Sequence, residues 1–356
     1  MGKLKVGVIF GGMSTEHDVS ISSGTSIISK LDKQKYEILP IYIDEKGKWY
    51  KYTKPVSDII QLHVGDKITE IEKIENEFEY LRGLDVAFPV LHGLYGEDGT
   101  IQGLLELLKI KYVGCKVLSS SICMDKVYAK IVFDKAEIPQ ANYAYVKAEE
   151  GKYTYVHQNF DEEILNLEQI SQKIEEKLGF PVFVKPSNSG SSVGINKAEN
   201  IEELKKAIEY ASKYDTKILI EEEIIGREVE CAVLGNTDVK ATCVGEILPA
   251  EDFYTFDAKY NNAQSRVIIP AEIAAEKQEE IKKLAIKAFK AVDGKGLSRV
   301  DFFIRKDNNK VYINEINTLP GFTQISMYPK LWEECKIEYS KLLDKLIELA
   351  WNYLKP

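Results

Sequence analysis

Two strongly apolar runs near the start of the chain, separated by a segment with helical character, restrict the fold more than any other feature. Residues 4–10 (LKVGVIF) and 36–43 (YEILPIYI) are rich in the side chains that favour buried strands. A helix is predicted between them, through residues 20–31 (SISSGTSIISKL). A strand–helix–strand unit of this kind builds a parallel sheet, so an α/β fold is predicted for this part of the chain.

The remaining sequence alternates between further candidate elements. The polar stretch 45–80 is interpreted as a surface insertion. Helices are predicted at 124–136, 201–213, 276–292 and 338–354, and strands at 229–235, 240–247, 298–305 and 310–316. With 356 residues the chain exceeds the size at which one core usually stops growing, so two or three domains are expected.

Charge, hydropathy and cysteine usage exclude several classes of protein. The formal net charge of −9 argues against a nucleic-acid-binding protein, which would normally show a basic face. No stretch reaches the ~18 consecutive apolar residues that a membrane-spanning helix needs, and the apolar N-terminus is too short for one. Five cysteines without a C-x-x-C pair are typical of reduced thiols, so a cytoplasmic protein without membrane or nucleic-acid partners is predicted.

A β-hairpin is predicted in the last third of the chain. The runs 298–305 (SRVDFFIR) and 310–317 (KVYINEIN) flank a polar turn at Asn308-Asn309. Pairing outward from this turn places Asp301 opposite a residue between 314 and 316. Polar side chains of both strands are therefore expected to lie close together.

These hairpin residues have the chemistry of a hard-metal site. Side chains two residues apart share a strand face, so Arg299 lies beside Asp301. On the partner strand, Glu315 and Asn317 share a face. Three oxygen ligands without a nearby His or Cys suit Mg²⁺ or Mn²⁺ rather than zinc. A surface cluster of ion pairs is the structural alternative.

A Gly/Ser-rich turn follows a buried strand in the middle of the chain. The sequence 185–194 (KPSNSGSSVG) offers backbone N–H groups that can surround phosphate oxygens, and Lys185 adds positive charge. It is not a Walker A motif, and a flexible turn is the alternative interpretation. Several carboxylates follow the apolar strand in KILIEEE and the segment after it: Glu221, Glu222, Glu223 and Glu228. A carboxylate here can accept hydrogen bonds from an adenine amino group or a ribose hydroxyl, and a solvated acidic strand end is the alternative.

Polar residues also follow two predicted strands of the N-terminal sheet. Glu16 comes after the first strand, and His92 begins the segment 92–103 (HGLYGEDGTIQG) after the run LDVAFPVLH. In open α/β sheets, chemistry gathers at the carboxyl ends of the strands. His92 is therefore a candidate site residue, although a structural role is the alternative.

Eight segments, taken together and in this order, resemble the D-alanine–D-alanine ligase family of the ATP-grasp superfamily. They are GGMSTEHDVS, HGLYGEDGTIQG, MDK, VKPSNSGSSVG, IEEEIIGREVE, FDAKY, LSRVDF and NEINTLPGFTQIS. The resemblance runs nearly end to end and is weak only at 45–80 and 147–178.

The resemblance implies a mixed α/β and α+β architecture, the ATP-grasp fold, with three domains. These are an open α/β N-terminal domain at 1–122, a central ATP-binding α+β domain at 123–221 and a C-terminal catalytic domain at 222–356. ATP would lie between the last two, with two Mg²⁺ or Mn²⁺ ions. A homodimer is expected, with D-alanine and ATP as the small-molecule partners.

The resemblance also implies roles for individual residues. For the ATP phosphates, Lys126 and Lys185 hold the α- and β-phosphates, Ser192 belongs to the covering loop, and Lys259 reaches the γ-phosphate from a lid at about 250–268. For the nucleoside, Glu221 contacts adenine and Glu228 contacts ribose. The metal ligands are Asp301, Glu315 and Asn317. Glu16 receives the ammonium of the first D-alanine and is linked to Ser191 and Tyr260, with His92 nearby; Arg299 and the Gly321 amide form an oxyanion hole; Ser326 binds the second substrate's carboxylate.

The function implied is ATP-dependent joining of two D-alanines through a D-alanyl phosphate, for peptidoglycan precursors. Relatives that make D-alanine–D-serine or D-alanine–D-lactate are the alternatives. The depsipeptide-forming relatives replace the tyrosine of the lid motif, so Tyr260 in DAKY favours D-alanine as the nucleophile. A binding protein that has lost catalysis would lack Arg299 or a metal ligand, whereas Ser14-Thr15-Glu16 and 321–326 argue against other ATP-grasp enzymes.

Overall fold

The computed structural model describes residues 2–190, 193–248 and 266–353. Within them the chain forms three β-sheets. The first sheet consists of β1 (Leu4–Gly11), β2 (Tyr36–Ile43), β3 (Trp49–Tyr52), β4 (Ile71–Lys73), β5 (Val86–Pro89) and β6 (Lys111–Tyr112), in the order β4-β3-β2-β1-β5-β6. Its helices are α1 (His17–Lys30), α2 (Glu77–Arg82) and α3 (Thr100–Leu107).

The predicted parallel sheet is confirmed at its centre. β1 pairs in parallel with β2 and β5, and the apolar runs at 4–10 and 36–43 lie in β1 and β2. The helix between them begins at His17, three residues before the predicted start. Because the strands run parallel, the loops after β1 and β5 emerge at the same sheet edge, which places Glu16 and His92 on one side.

The stretch 45–80 is less irregular than a surface insertion implies. It contains β3 and β4, which pair antiparallel at the edge next to β2, and the start of α2. These edge strands are short and only partly buried, so their apolar pattern is too weak to read from sequence. The segment extends the first sheet beyond β2, and Gln61, His63 and Val64 within it border the cavity described below.

The second sheet is antiparallel and carries helices on one face. Its strands are β7 (Tyr143–Glu149), β8 (Lys152–Val156), β9 (Glu162–Leu165), β10 (Val182–Pro186), β11 (Asn196–Ala198) and β12 (Lys217–Glu222), in the order β11-β10-β12-β7-β8-β9. Helices α6 (Leu167–Leu178) and α7 (Ile201–Ala211) bury Ile174 and Ile208 against Val184. The opposite face of β10 and β12 is left for the polar residues Lys185 and Glu221.

Two short helices precede this sheet, α4 (Val117–Met124) and α5 (Lys126–Lys135). The third sheet consists of β13 (Gly226–Leu234), β14 (Lys240–Leu248), β15 (Arg266–Ile268), β16 (Leu297–Arg305) and β17 (Val311–Asn317), in the order β15-β14-β13-β16-β17. Helix α8 (Ala275–Ala291) and α5 cover one face, where Phe289 and Phe133 share a core with Phe302.

The C-terminal helices α9 (Met327–Glu334) and α10 (Tyr339–Trp351) join the first and third sheets. One buried cluster contains Phe88 of the first sheet, Leu297 of the third and Leu346 of α10. The predicted domain boundaries at 122/123 and 221/222 stay a prediction. The C-terminal helix packs against the N-terminal sheet, so the two ends of the chain share one core. Within residues 2–190, 193–248 and 266–353, the helices all fall short of the length and apolar character required to cross a bilayer.

Asp344 of α10 makes the buried polar contact of this junction. Its carboxylate accepts hydrogen bonds from the Tyr36 hydroxyl (2.9 Å) and the Lys35 ammonium (2.6 Å). Burial, followed by the Asp344 carboxylate, raises the pKa of Tyr36, which keeps that hydroxyl a donor.

Asp344→Ala is expected to lower the stability of the chain by about 1–3 kcal/mol, because the buried Tyr36 hydroxyl loses its acceptor. The measurement is the urea midpoint of unfolding, with the exposed neighbour Lys345→Ala as the matched control. Identical midpoints for Asp344→Ala and the wild type would show that this contact does not hold α10 to the sheet.

Candidate active site

A cavity of about 1860 Å³ lies where the three sheets meet. It is lined by every predicted site residue that the structure describes: Glu16, His92, Lys126, Lys185, Glu221, Glu228, Arg299, Asp301, Glu315, Asn317, Gly321 and Ser326. Residues that are up to 310 positions apart in the sequence therefore border one space. Ser191, Ser192, Lys259 and Tyr260 lie outside the described residues, as does the predicted lid apart from 266–268, which form β15.

The predicted hairpin is present with the expected pairing. Asp301 pairs with Glu315 and Arg299 with Asn317, and a bulge follows at Asn314. Because paired residues share a sheet face, the four polar side chains point to the same side. The opposite face of these strands carries the apolar side chains that pack against α8.

Arg299 is held by two carboxylates. Its Nε and Nη2 donate to the two oxygens of Asp301, each at 2.7 Å, and Nε lies 2.9 Å from Oε2 of Glu230. Asn317 donates to the same Asp301 carboxylate at 2.9 Å. Burial alone would lower the pKa of Arg299, but the charges of Asp301 and Glu230 outweigh it and hold this pKa well above its usual value.

The same sheet face is strongly anionic. On β13, Glu230 pairs with Asp301, and Glu228 lies two residues away on the same face. Together with Glu315, these carboxylates outnumber the single guanidinium of Arg299. An excess of carboxylates beside an arginine, with an amide oxygen available from Asn317, is the oxygen-rich environment that divalent cations prefer.

A second charged cluster lies on the facing sheet. Oε1 of Glu221 is 2.8 Å from the Lys185 ammonium, and Oε2 is 2.9 Å from the ammonium of Lys130. Burial would raise the pKa of Glu221, but the two lysines lower it to about 2. Burial would lower the pKa of Lys185, yet its interaction with Glu221 raises it. Glu221 and Lys185 are therefore both charged at neutral pH.

Lys130 is the residue of this cluster that the sequence interpretation missed. It lies four residues after Lys126 in MDKVYAK, so both lysines share one side of α5. That spacing was the available signal. Its partner Glu221 lies on β12 of the second sheet, and only the tertiary packing of α5 brings the two residues together.

Lys126 lies at the start of α5, which is fastened to the loop after β10. Its backbone N–H donates to the Ser187 carbonyl at 3.0 Å, and the Ser187 hydroxyl donates to Asp125 at 2.6 Å. Asp125 caps the helix through the N–H groups of residues 127 and 128. This network holds the start of α5 against the Gly/Ser-rich turn, where the Lys126 ammonium donates to the Ser189 carbonyl.

Glu16 is buried against two glycines. A Cβ atom placed on Gly93 or on Gly190 would lie 2.6 Å from Oε2 of Glu16, a distance that any side chain would have to relieve by displacing the carboxylate. Gly93 also has φ of +74°, which glycine adopts without strain. The Glu16 carboxylate thus lies between the loop after β5 and the residue that precedes Ser191.

His92 connects the N-terminal sheet to the loop after β17. Its Nδ1 is 3.0 Å from the Leu319 carbonyl, and its Nε2 is 3.0 Å from the Ser23 hydroxyl, which also accepts from the Phe322 N–H at 3.3 Å. Burial would lower the pKa of His92, but nearby Glu97, together with Glu16, raises it. His92 thus contacts the 319–322 loop directly at Leu319 and through Ser23 at Phe322, and no sequence pattern singled out Ser23.

The loop that contains Gly321 folds back on Ser326. A Cβ atom on Gly321 would lie 2.9 Å from the Ser326 hydroxyl oxygen. That oxygen accepts from the Thr323 N–H at 3.0 Å and lies 2.7 Å from the Thr323 hydroxyl. Glycine at position 321 therefore leaves room for the Ser326 hydroxyl in a turn that borders the cavity.

Fold and site together define a class of protein. Lys185 of the second sheet and Lys126 at the start of α5 border the same cavity as the anionic third sheet, and this arrangement suits a nucleotide whose phosphates are accompanied by divalent cations. The third group, Glu16 with the 319–326 loop, offers a carboxylate and amides to a small second ligand. The class is that of ATP-grasp enzymes.

Comparisons with known proteins narrow the class. The sequence profile described as D-ala D-ala ligase N-terminus matches residues 5–115, and that described as D-ala D-ala ligase C-terminus matches residues 132–348. The D-alanine--D-alanine ligase of Clostridium acetobutylicum is 50% identical, with 98% of each chain covered. That of Acetivibrio thermocellus is 50% identical, covering 98% of this chain and 96% of its own.

Solved structures agree. The VanG D-Ala:D-Ser ligase from Enterococcus faecalis superposes with a TM-score of 0.83 at 36% identity, covering 98% of this chain and 100% of its own. The D-alanine-D-alanine ligase from Coxiella burnetii gives a TM-score of 0.81 at 36% identity, covering 99% and 95%. The chain belongs to the D-alanine–D-alanine ligase family. The predictions of family and of fold class are confirmed.

Proposed function

We propose that this chain joins two D-alanines to D-alanyl-D-alanine for peptidoglycan precursors, with cleavage of ATP to ADP and phosphate through a D-alanyl phosphate. The observation that carries the proposal is the convergence of three groups on one cavity: Lys126 and Lys185 with Glu221, the carboxylates around Arg299, and Glu16 with the 319–326 loop. Each group matches one part of the two-step reaction.

The Lys185–Glu221 pair is suited to adenine. Adenine presents an amino donor next to the N7 acceptor on one edge. Glu221 offers an acceptor 2.8 Å from the Lys185 donor, so the pair complements that edge. Lys126 and Lys185 then supply positive charge to the phosphates, and Glu228 on β13 is assigned to the ribose hydroxyls.

The residues of the hairpin fit the proposed Mg²⁺ or Mn²⁺ ions. Asp301, Glu315 and Asn317 offer oxygen donors on one sheet face and would hold two ions. Among the described residues, clusters of three or more His, Cys, Asp or Glu side chains arranged for a metal are absent; the proposed set differs from such a cluster because one ligand is the Asn317 amide. When bound, the ions would neutralise charge on the phosphoryl group being transferred.

The amino acids would be bound by the remaining groups. A carboxylate is a poor electrophile, so the first D-alanine is activated as an acyl phosphate, and its ammonium is bound by Glu16. The amine of the second D-alanine then attacks, and the oxyanion of the tetrahedral intermediate meets Arg299 and the Gly321 N–H. Ser326 binds the carboxylate of the second D-alanine. His92 contacts the loop that carries Gly321 and Ser326.

Further assignments rest on the family. Ser191 and Tyr260 would link to Glu16, Ser192 would cover the phosphates and Lys259 would reach the γ-phosphate. We also propose a cytoplasmic homodimer with the three domains 1–122, 123–221 and 222–356, with D-alanine and ATP as its partners and neither nucleic acid nor a membrane among them.

The product assay distinguishes the substrates. D-alanine is offered with ATP and Mg²⁺, alone and together with D-serine or D-lactate, and products are identified by mass spectrometry. D-alanyl-D-alanine is the expected main product in every mixture. A predominance of the D-serine dipeptide would instead place the chain functionally with the D-Ala:D-Ser ligase that its fold resembles, and a predominance of the ester would contradict the argument from Tyr260.

A further inference from the structure

Lys130 is a buried cation that does not border the cavity. Its side chain is 3% exposed, and it contacts the Glu221 carboxylate at 2.9 Å. Its other neighbours are weaker partners: the Ala141 carbonyl at 3.5 Å and the ring of Tyr143, whose centroid is 5.2 Å away. An ammonium group this deeply buried depends on its carboxylate partner, so Lys130 and Glu221 form one electrostatic unit.

Each of the two lysines contacts a different oxygen of the Glu221 carboxylate. Oε2 faces Lys130, on the side away from the cavity, and Oε1 faces Lys185, which lines it. Two contacts fix the orientation of the carboxylate plane, whereas one would allow it to rotate about its terminal bond. Lys130 therefore determines which oxygen of Glu221 is presented to the cavity.

The charges of Lys130, Lys185 and Glu221 support the same role for Lys130. Two lysines share one carboxylate, so the unit carries a net positive charge at the wall of the cavity. If Lys130 were absent, the full charge of Glu221 would act on Lys185 and draw its ammonium away from a bound phosphate. Lys130 relieves this competition by taking up one oxygen of the carboxylate.

We propose that Lys130 is a positioning residue for nucleotide selection: it fixes Glu221 to accept from the adenine amino group and frees Lys185 for N7 and the phosphates. The inference rests on the proposed use of ATP. Guanine presents a carbonyl oxygen where adenine presents the amino group, so a fixed anionic acceptor repels it. Loss of Lys130 therefore weakens ATP binding and reduces the preference for ATP over GTP.

The test uses Lys130→Met, which keeps the length of the side chain and removes its charge, and Lys130→Arg, which keeps the charge. Lys135→Met, at an exposed position of the same helix, is the matched control. Equilibrium binding of fluorescent ATP and GTP analogues is measured together with KM for ATP and for D-alanine. Binding is measured without D-alanine, so its outcome does not depend on the ligation reaction.

Lys130→Met is expected to weaken ATP binding by ~10-fold or more, the scale for removing one member of a buried charge pair. The ratio of ATP affinity to GTP affinity is expected to fall. KM for D-alanine should change by less than ~2-fold, because the buried charge pair that is broken does not belong to the amino-acid subsites. Lys130→Arg restores most of the ATP-to-GTP affinity ratio.

An unchanged affinity ratio in Lys130→Met would overturn the inference, since a purely structural lysine affects both nucleotides equally. If Lys130→Met does not fold, Lys130→Leu, which likewise has no donor for Glu221, carries the same comparison. Absence of D-alanine-dependent turnover in the wild type would refute the proposed function and leave the binding result standing.

Discussion

Arg299→Ala is expected to lower kcat by at least ~100-fold, because one donor of an oxyanion hole typically contributes about 3 kcal/mol to the transition state. Arg299 is also the cation between Asp301 and Glu230, so its loss leaves buried carboxylates without their guanidinium. The effect on turnover should therefore exceed that of any other single change on the hairpin. The measurement is the steady-state rate of ADP release at saturating ATP and D-alanine.

Two further variants separate the causes. Arg299→Lys keeps the charge but loses the two-pronged contact with Asp301, so it is expected to recover stability more than kcat. Arg305→Ala changes an arginine of the same strand that contacts Glu222 and Asp307, and its kcat should stay near that of the wild type. A near-normal kcat for Arg299→Ala would remove this residue from the mechanism.

Glu16→Gln is expected to raise KM for D-alanine at the first subsite by ~30-fold or more, the scale for neutralising one partner of a buried charge pair. Glutamine has nearly the same shape, so the close packing against Gly93 and Gly190 is retained and the loss is mainly of charge. KM for ATP should change little, because the contacts assigned to adenine are made by Glu221 and Lys185 instead.

The matched control is Asp18→Asn, which removes a carboxylate from an exposed position two residues further along. It should leave both KM values unchanged. Equal increases in the KM values for ATP and D-alanine in Glu16→Gln would contradict the assignment of Glu16 to the ammonium of the first substrate.

The parts of the site that the sequence predicts are those governed by local geometry. The pairing of Asp301 with Glu315 follows from the position of the turn, because alternation along two strands leaves few registers. Likewise, parallel pairing of β1 with β5 puts Glu16 and His92 at one edge. These relations need no knowledge of how the sheets pack.

The parts that the sequence does not predict depend on packing between distant elements. The contact of Lys130 with Glu221 arises because α5 packs between two sheets, with Phe133 in the core of the third and Val127 against the second. The contact of His92 with Leu319 exists because α9 and α10 draw the first and third sheets together. Neither contact has a periodicity or a motif from which it could be read, and the assignment of residues by family resemblance does not include Lys130.

ADP release with and without D-alanine tests the central claim most directly. The purified chain is given ATP and Mg²⁺, and the rate is recorded before and after addition of D-alanine, with L-alanine as the control. We expect slow release that rises many-fold with D-alanine but not with L-alanine, because the lysines, the carboxylates and Glu16 act on both substrates in one cavity. A rate that D-alanine does not change would contradict it.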